Sequence, residues 1–551
     1  MDEQLTVGEY LIKVLYKNNI KHIFGIPGDY VLGFYDLLNK SKIDIVTTCD
    51  EQGAGFAADA YARINGLGAV CVTYCVGGLK ILNTTAEAYA EKSPVIVISG
   101  APGINERKKY PMLHHIVKNF DTQHNIFREV TIATTVLDDV DTAISDIDRV
   151  VDAVVRYKIP GYIELPRDMV NKKITLSRLW WNISKVQSNQ LVLQEALKET
   201  IDMINFSKKP VVVAGVEIQR YGVQNLLLEL LDKTGIPVVS TPLSKSVINE
   251  NHPLYLGVYE GAMGYEEVRE YVESSDCVIL IGSFMTDVDF GNSPTPVDQG
   301  KTINLGSSRF LIKYHSFEDV NFQEFIEKLC KSKLIKKHNL DKKLIDNLTQ
   351  KNRNFINKIS NKMINVDLLF QILNDFINEN NMVITDVGDS LFGGLDLFIR
   401  RGTEFLSPAF YLSMGFAIPA SIGAQLANPY LRPIVVVGDG AFQMTGIELS
   451  TVAKEKLNPI VILLNNDGYR TERTMLDGHF NDISQWNYTK IINLIGKGKS
   501  FVVETTDEFY QALTKAEQNS EYTLIEIKLD KFDASKALKR ITDSFRTKVR
   551  Q

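Results

Sequence analysis

The chain has 551 residues, which is too long for a single hydrophobic core and predicts about three domains. Its 44% hydrophobic and 23% charged residues are ordinary for a globular protein, and its net charge of −6 argues against a general nucleic-acid-binding protein. The first residues carry acidic side chains and no apolar run, and the most apolar long segment, residues 407–427, contains prolines and polar residues. We therefore expect neither a signal peptide nor a membrane-spanning segment. Five scattered cysteines without a metal-binding spacing predict core thiols in a reducing cytoplasm.

Residues 1–175 alternate between helical and strand patterns, which predicts a parallel, doubly wound sheet. Asp29 follows the first predicted strand. Glu51 follows the second strand and precedes a helix of small residues, which leave room beside its carboxylate. Taken alone, such a glutamate is more often a surface residue or a charge at the start of a helix.

An adjacent histidine pair, His114 and His115, stands out because the chain has only eight histidines. Neighbouring side chains are expected to point in different directions, which makes a shared metal ion awkward without further ligands. Histidine titrates near neutral pH, so the pair suits proton transfer. A chance surface pair is the alternative interpretation.

Residues 191–330 repeat the α/β pattern, with buried parallel strands predicted at 210–214 and 277–281. No G-x-G-x-x-G motif follows these strands, so the pattern leaves nucleotide binding in this domain open. A polar connection precedes this segment, and a Lys/Asn-rich linker follows it. The predicted domains are therefore residues 1–175, 191–330 and 359–551.

The stretch 438–469 is the strongest candidate site. Gly438-Asp439-Gly440 follows one apolar strand, a helical pattern comes next, and Asn465-Asn466-Asp467-Gly468 follows a second strand. Along the helix we expect Ile447, Leu449, Val452 and Ala453 on the buried face, with Glu448 and Lys454 opposite.

This βαβ unit predicts a metal–diphosphate site. Asp439, Asn466 and the Gly468 carbonyl offer hard oxygen ligands, which suit Mg²⁺ or Ca²⁺. The helix that begins near Gly440 and Ala441 can hold a phosphate at its N-terminus. Two strand-end turns without a ligand are the alternative.

The spacing of GDG and NN resembles the motif of thiamine-diphosphate (ThDP) enzymes. The following segment, GYRTERTMLDGHFNDISQWNY, resembles the pyruvate/indolepyruvate decarboxylase branch of that family. The resemblance implies an α/β fold of three doubly wound parallel-sheet domains, with the ThDP-binding fold in the first and third. It also implies ThDP and Mg²⁺ as cofactors, held by Asp439, Asn466 and Gly468.

Further roles are carried over from the resemblance to matching positions. Glu51 would activate the cofactor, and protons would be handled by Asp29, His114, His115 and Glu472. The family's pattern assigns cofactor contacts to Gly388, Asp389, Ser390, Leu412, Met414, Gly438, Gly440 and Ala441. Departures from the common pattern fall around the implied substrate pocket, at Leu391, Thr471 and Met475.

The implied reaction is non-oxidative decarboxylation of a 2-oxo acid to an aldehyde and CO₂, through a ThDP ylid and an enamine. Pyruvate, indolepyruvate, phenylpyruvate and a branched-chain acid all remain open as substrates. The resemblance further implies at least a homodimer, with a homotetramer expected. The alternatives are a carboligase of the acetolactate synthase or benzoylformate decarboxylase type, and a non-catalytic ThDP-binding protein.

Overall fold

A computed structural model describes residues 4–110, 112–175, 187–289, 297–338, 362–400, 404–540 and 542. Most of the two predicted connections, at 176–190 and 331–358, lies outside these residues. Each of the three predicted segments contains one large sheet.

The first segment contains a six-stranded parallel sheet in the order β3-β2-β4-β5-β7-β6. A small antiparallel pair, β1 with β8, joins the two ends of the segment. The strands are β1 Gln4–Thr6, β2 His22–Gly25, β3 Asp44–Thr47, β4 Gly68–Val72, β5 Val95–Ala101, β6 Thr134–Val136, β7 Gly161–Pro166 and β8 Lys173–Thr175. The helices are α1 Val7–Lys17, α2 Leu32–Asn39, α3 Glu51–Asn65, α4 Leu82–Ala90, α5 Ile104–Lys109, α6 Thr122–Arg128 and α7 Ala143–Tyr157.

The middle segment contains a seven-stranded sheet in the order β11-β10-β9-β12-β13-β14-β15. Its last two strands are antiparallel, which the sequence pattern did not predict. The strands are β9 Pro210–Ala214, β10 Val238–Ser240, β11 Tyr255–Val258, β12 Cys277–Ile281, β13 Thr302–Leu305, β14 Phe310–Ile312 and β15 His315–Phe317. The helices are α8 Gln190–Phe206, α9 Glu217–Arg220, α10 Gln224–Thr234, α11 Glu266–Glu273 and α12 Phe322–Lys331.

The third segment contains a six-stranded parallel sheet in the order β17-β16-β18-β19-β21-β20. The strands are β16 Asn381–Thr385, β17 Glu404–Leu406, β18 Arg432–Gly438, β19 Ile460–Asn465, β20 Lys499–Val503 and β21 Thr523–Lys528. The helices are α13 Val366–Phe376, α14 Asp389–Leu395, α15 Ala417–Ala427, α16 Asp439–Thr445, α17 Leu449–Lys454, α18 Arg470–Met475, α19 Ile491–Ile495 and α20 Thr506–Glu517. The predicted α/β class with largely parallel sheets is confirmed.

Both faces of the third sheet are buried, as expected for a parallel sheet. Along β18, Ile434 and Val436 face one hydrophobic core, whereas Val435 and Val437 face another. The second of these cores also contains residues of α3, so it is shared by the first and third segments. No helix among the described residues is long and apolar enough to cross a bilayer.

The first and third segments meet where α3 packs against α15. The contact is close because both helices are rich in small residues, and a Cβ at Gly423 would overlap the Ala57 carbonyl oxygen. The aromatic rings of Phe56 and Phe416 meet edge to face at this contact, with centroids 5.7 Å apart. The relative position of the sheets of the first and third segments is therefore set by direct contact between two helices of one chain.

Buried charges reinforce this contact. The Arg63 guanidinium is 2.7 Å from Asp59 and 2.8 Å from Glu91, and it lies 3.6 Å from Glu87. Arg63 also donates to the Ser407 carbonyl across the contact, at 2.9 Å. The Glu91 carboxylate in turn accepts backbone N–H bonds from residues 410 and 411 of the third segment. Burial raises the pKa values of both Glu87 and Glu91, so the arginine is needed to compensate their charge.

We predict that Arg63→Met destabilises the fold by about 3–5 kcal/mol, because it leaves buried carboxylates without their counter-charge. The loss should be larger at pH 8 than at pH 5. A carboxyl whose pKa is raised by folding stabilises the protein at low pH, and this stabilisation is lost as pH rises above its ordinary value of 4.5. Urea unfolding at the two pH values measures the effect.

Lys40→Met is the control, because it removes an exposed ion pair with Asp36. We expect little change in the unfolding midpoint and no such pH dependence. Equal effects of the two substitutions would contradict the structural role of the buried cluster.

Candidate functional site

A cavity of about 300 Å³ lies at the carboxyl ends of β16, β18 and β19. The predicted residues of the third segment line it, with one exception described below. They are Gly388, Asp389, Ser390, Leu412, Met414, Gly438, Asp439, Gly440, Ala441, Asn466, Gly468, Thr471, Glu472 and Met475. The carboxyl ends of these strands therefore bring together residues up to about 90 positions apart in sequence.

The Asp439 carboxylate is fixed by three backbone N–H groups. It accepts from Gly440 at 2.8 Å, from Gly468 at 3.1 Å and from Asn466 at 3.2 Å. Burial raises the pKa of Asp439 to about 6. These bonds tie the two strand-end loops to each other, so the metal-ligand candidates are held in one arrangement.

The two asparagines after β19 point to different sides. Asn465 donates to Glu526 at 2.7 Å, whereas Asn466 lines the cavity. Gly468 has a φ of 137°, and a Cβ there would overlap the Asn481 carbonyl oxygen, so only glycine fits. The carboxylate, amide and carbonyl oxygens of this loop pair match the oxygen donors that Mg²⁺ prefers.

Asp389 contributes a second polar feature of the cavity wall. Its Oδ2 accepts from the Ser535 backbone N–H at 3.0 Å, whereas its buried Oδ1 has no hydrogen-bond partner among the described residues. Burial raises the pKa of Asp389 to about 6. An unsatisfied buried oxygen beside a helix N-terminus fits a cavity that receives a polar group.

The segment before α15 is held in an unusual backbone conformation. Leu412 has a φ of 60° and Gly415 a φ of 90°, and left-handed geometry is costly for a leucine. Asp386 fixes the segment by accepting N–H bonds from Gly415 at 3.1 Å and from Ala417 at 2.9 Å. The sequence analysis missed Asp386, although a lone acid at the end of a buried strand was an available signal. Leu412 and Met414 are thus positioned at the cavity.

Leu391 is the exception, and its prediction is corrected. Its side chain is completely buried in the core beside the sheet and does not line the cavity. The next residue, Phe392, lines the cavity instead. Successive residues of a helix point about 100° apart, so a position inferred from a strand-end motif can be wrong by one residue after the helix begins.

The predicted faces of the helix after the GDG turn also need correction. Ile447 is 45% exposed, whereas Glu448 is 1% exposed. The cause is a break: α16 ends at Thr445, a 3₁₀ turn covers residues 446–448, and α17 begins at Leu449. The tighter 3₁₀ turn shifts the angular phase, so one helical period cannot be extended across it.

Glu448 is a structural residue that the sequence analysis missed. Its carboxylate accepts backbone N–H bonds from Cys49 and Asp50, each at 3.1 Å, and a hydroxyl bond from Thr451 at 2.7 Å. Burial raises the pKa of Glu448. The third segment therefore holds the N-terminus of α3, where Glu51 lies.

Glu51 itself is the first residue of α3, and Asp50 caps the helix by accepting from the Gln52 N–H at 2.8 Å. The Glu51 side chain is 13% exposed and lies 3.0 Å from the Lys80 ammonium. Lys80 also pairs with Asp50. A cation thus lies beside the predicted activating carboxylate, and the sequence analysis did not anticipate it.

Asp29, His114 and His115 form a cluster whose side-chain ligand atoms all lie within 4.8 Å of one another. His114 Nε2 is 2.8 Å from Asp29, and its ring stacks on Tyr30 with centroids 4.6 Å apart. The expectation that the two histidines diverge is wrong, because His115 adopts a φ of 68° and its ring meets that of His114 edge to face at 4.8 Å. The cluster is suited to passing protons among neighbouring groups.

None of the first-segment candidates lines the 300 Å³ cavity of the same chain. Besides third-segment residues, the lining of the 300 Å³ cavity includes only Met263 and Val288 of the middle segment. Asp29 and His114 have side chains 42% and 55% exposed. The first segment therefore presents Asp29 and His114 on an open surface, and the third presents an open cavity.

Three family profiles match the chain in order. The N-terminal TPP binding domain of thiamine pyrophosphate enzymes matches residues 5–125, their central domain residues 197–331, and their C-terminal TPP binding domain residues 386–527.

Curated relatives match over nearly the whole chain. An indole-3-pyruvate decarboxylase of Azospirillum brasilense is 33% identical, with 93% of each chain covered. A pyruvate decarboxylase of Aspergillus fumigatus is 31% identical over 97% of this chain and 95% of its own. Pyruvate decarboxylase isozyme 3 of Saccharomyces cerevisiae is 30% identical, with 97% of each chain covered.

We predict that Gly468→Ala weakens the binding of ThDP with Mg²⁺ by about 10–100-fold, because the overlap with Asn481 would displace a metal-ligand carbonyl. Gly66→Ala is the matched control, since Gly66 also has a positive φ of 86° but has open space around it. Titration calorimetry with ThDP and Mg²⁺ measures both. Equal affinities of the two variants would contradict the requirement for close packing at position 468.

Proposed function

The chain belongs to the thiamine-diphosphate-dependent 2-oxo acid decarboxylases, and we propose that it converts a small or aromatic 2-oxo acid to an aldehyde and CO₂ at a site shared by two copies of the chain. The observation that carries the proposal is the strand-end cavity with its fixed Asp439–Asn466–Gly468 loops. The Asp29–His114–His115 cluster, in which Asp29 and His114 are exposed, would supply the second half of the site.

Bound ThDP would supply a carbanion that adds to the substrate's 2-carbonyl group and then accepts the electrons released with CO₂. Asp439, Asn466 and the Gly468 carbonyl would hold Mg²⁺ against the diphosphate. Leu412 and Met414 would position the rings, since the strained segment before α15 holds both at the cavity wall. Val387 and Leu464 form an apolar part of the wall, which would keep water away from a bound group.

The protein's own contribution is proton transfer. Glu51 would hold a proton at the aminopyrimidine ring, and Lys80 would keep its carboxylate oriented. His114 and Asp29, already 2.8 Å apart, would exchange a proton with the substrate-derived group, and His115 lies beside them. Glu472 lines the cavity in the third segment and would take part in the same proton transfers from that side. General acid–base catalysis of this kind contributes about 10²–10⁴-fold to rate.

Substrate choice would depend on the cavity residues at the end of α18. Thr471 and Met475 line the cavity beside Glu472, and Phe392 replaces Leu391 in this role. We leave the 2-oxo acid as pyruvate, indolepyruvate, phenylpyruvate or a branched-chain acid. Aldehyde formation from each acid, with ThDP and Mg²⁺ present, decides among them. Acetolactate as the main product from pyruvate would indicate a carboligase instead.

We further propose a cytoplasmic homodimer, and a homotetramer built from two such dimers. The division of the site between an open surface and an open cavity supports the dimer, because neither half is complete alone. Five unpaired cysteines, four of them buried, support a reducing compartment. The tetramer rests on the family resemblance and is checked by sedimentation.

We predict that Glu51→Gln lowers turnover by at least about 100-fold while ThDP still binds. The amide has the shape of the carboxyl group but cannot accept and return a proton. The readouts are aldehyde formation and cofactor binding by calorimetry. Glu129→Gln, an exposed carboxylate in the same segment, is the control and should remain fully active. Normal turnover of Glu51→Gln would contradict the proposed role and would favour a different activating group.

A mixed dimer tests the shared site. Chains with Glu51→Gln and chains with Asp439→Asn, each inactive alone, are co-expressed with different tags, and the doubly tagged species is purified. If each site uses Glu51 of one chain and Asp439 of the other, one of the two sites is intact and about half of the wild-type activity returns. Inactive mixed dimers would place each site within a single chain.

A further inference from the structure

A second cavity, of about 340 Å³, lies between the middle and third segments, apart from the cofactor cavity. Strand β11 and the turn after it form one wall, and helices α13 and α14 form the other. The proposed decarboxylation uses none of its residues. Its volume is within the range of cavities that hold small ligands.

One acidic side chain of this cavity, Glu260, is only 5% exposed. Among the described residues, burial and nearby charges act on its carboxyl group, and no hydrogen bond contributes to its raised pKa. A buried carboxyl group without a partner is costly to ionise and calls for an explanation.

Two pairs of charged side chains near Glu260 compensate each other. Lys245 pairs with Glu250 at 2.7 Å, and Glu250 also accepts the Ile399 N–H at 2.9 Å. Asp396 pairs with Arg540 at 3.4 Å. Asp367 and Lys536 also line the cavity and carry opposite charges. Because all these charges compensate one another, Glu260 is left as the acidic group without a counter-charge that a ligand would meet.

Aromatic rings complete the wall. The cavity is lined by the rings of Tyr255, Tyr265, Phe370 and Phe398. The Arg540 guanidinium lies over the ring of Tyr265, 4.6 Å from its centroid, in a cation–π contact. Carboxylates combined with aromatic faces recognise organic ammonium groups through hydrogen bonds and cation–π attraction. A divalent metal fits less well, because the carboxylates of this cavity form no three-ligand cluster within the described residues.

We propose that this cavity binds a small organic ammonium ion, whose charged nitrogen pairs with Glu260 and whose carbon chain lies against the aromatic wall. The site is independent of the proposed decarboxylation. It nevertheless adjoins the cofactor cavity: α14 contributes Gly393 and Leu395 to this cavity, and Asp389 and Phe392 to the other. An occupant would therefore contact a helix that also forms the cofactor cavity.

The protonation of Glu260 gives the site a measurable signature. Burial raises the pKa of Glu260 to about 8, so the side chain is mostly protonated at pH 7. The charged groups that act on it from the surrounding elements are Asp396, Arg540, Lys245 and Asp289. An ammonium ligand favours the ionised form, so binding at pH 7 should release up to about one proton, and affinity should rise between pH 6 and pH 9.

The test uses the full-length protein with ThDP and Mg²⁺, titrated with 1,4-diaminobutane in a calorimeter. We expect one ligand per chain, with no binding of 1,4-butanediol, which has the same length but no charge. Titrations at pH 7 in two buffers of different ionisation enthalpy should reveal the released proton. Absence of diaminobutane binding, or equal binding of the diol, would overturn the proposal.

Glu260→Gln should weaken diaminobutane binding at least about tenfold, because it removes a charge-assisted bond. It should also abolish the proton release. The variant should fold, since the carboxyl has no partner to lose. Glu266→Gln is the control, with a side chain 74% exposed on the neighbouring helix, and it should bind like the wild type. Unchanged binding by Glu260→Gln would place the ligand elsewhere.

Discussion

The contact between α3 and α15 is the constraint on which the rest of the structure depends. Small residues let the two helices approach until backbone nearly touches backbone, as at Gly423 and Ala57. The interior of the contact is not purely apolar, because Arg63 lies there among three carboxylates. Close packing excludes water from these charges, so each must be compensated by another protein group.

This contact orients both halves of the candidate site. On one side, α3 begins with Glu51, and its N-terminus is held by Glu448 from the third segment. On the other, α15 follows the strained segment that carries Leu412 and Met414, and Asp386 holds the junction. The same helix pair therefore determines where one chain presents its carboxylate and where it presents its cavity. Two rigidly related half-sites are well suited to pairing with those of a second copy.

Much of this arrangement could be predicted because it follows from strand ends. Asp439, Asn466 and Gly468 each come directly after a buried strand or its loop, and parallel strands bring such positions together. Two predictions about the positions of side chains failed where a helix had already begun. Leu391 is one residue out of place in α14, and Ile447 and Glu448 exchange faces across a 3₁₀ turn. A change of helical phase leaves little trace in the spacing of apolar residues.

Contacts between distant segments were beyond a single sequence. Lys80 lies beside Glu51, and Glu448 accepts backbone N–H bonds from Cys49 and Asp50. Residue types alone do not reveal which distant residues form such pairs. The backbone conformation of His115 could not be predicted either. Its positive φ brings the rings of two neighbouring histidines together, and the residue types alone do not reveal that conformation.

The buried Arg63 contact also bears on how the chain is made. Arg63 and Ser407 are 344 residues apart in sequence. At roughly 5–20 residues per second, the ribosome needs roughly 20–70 s to synthesise the chain between them. During that interval the first segment can form its own sheet, but α3 exposes its small apolar face and Arg63 lacks its partner in the third segment. The face of α3 that packs against α15 is therefore exposed to solvent for most of the synthesis of the chain. A chaperone that covers this face would be most useful during that time.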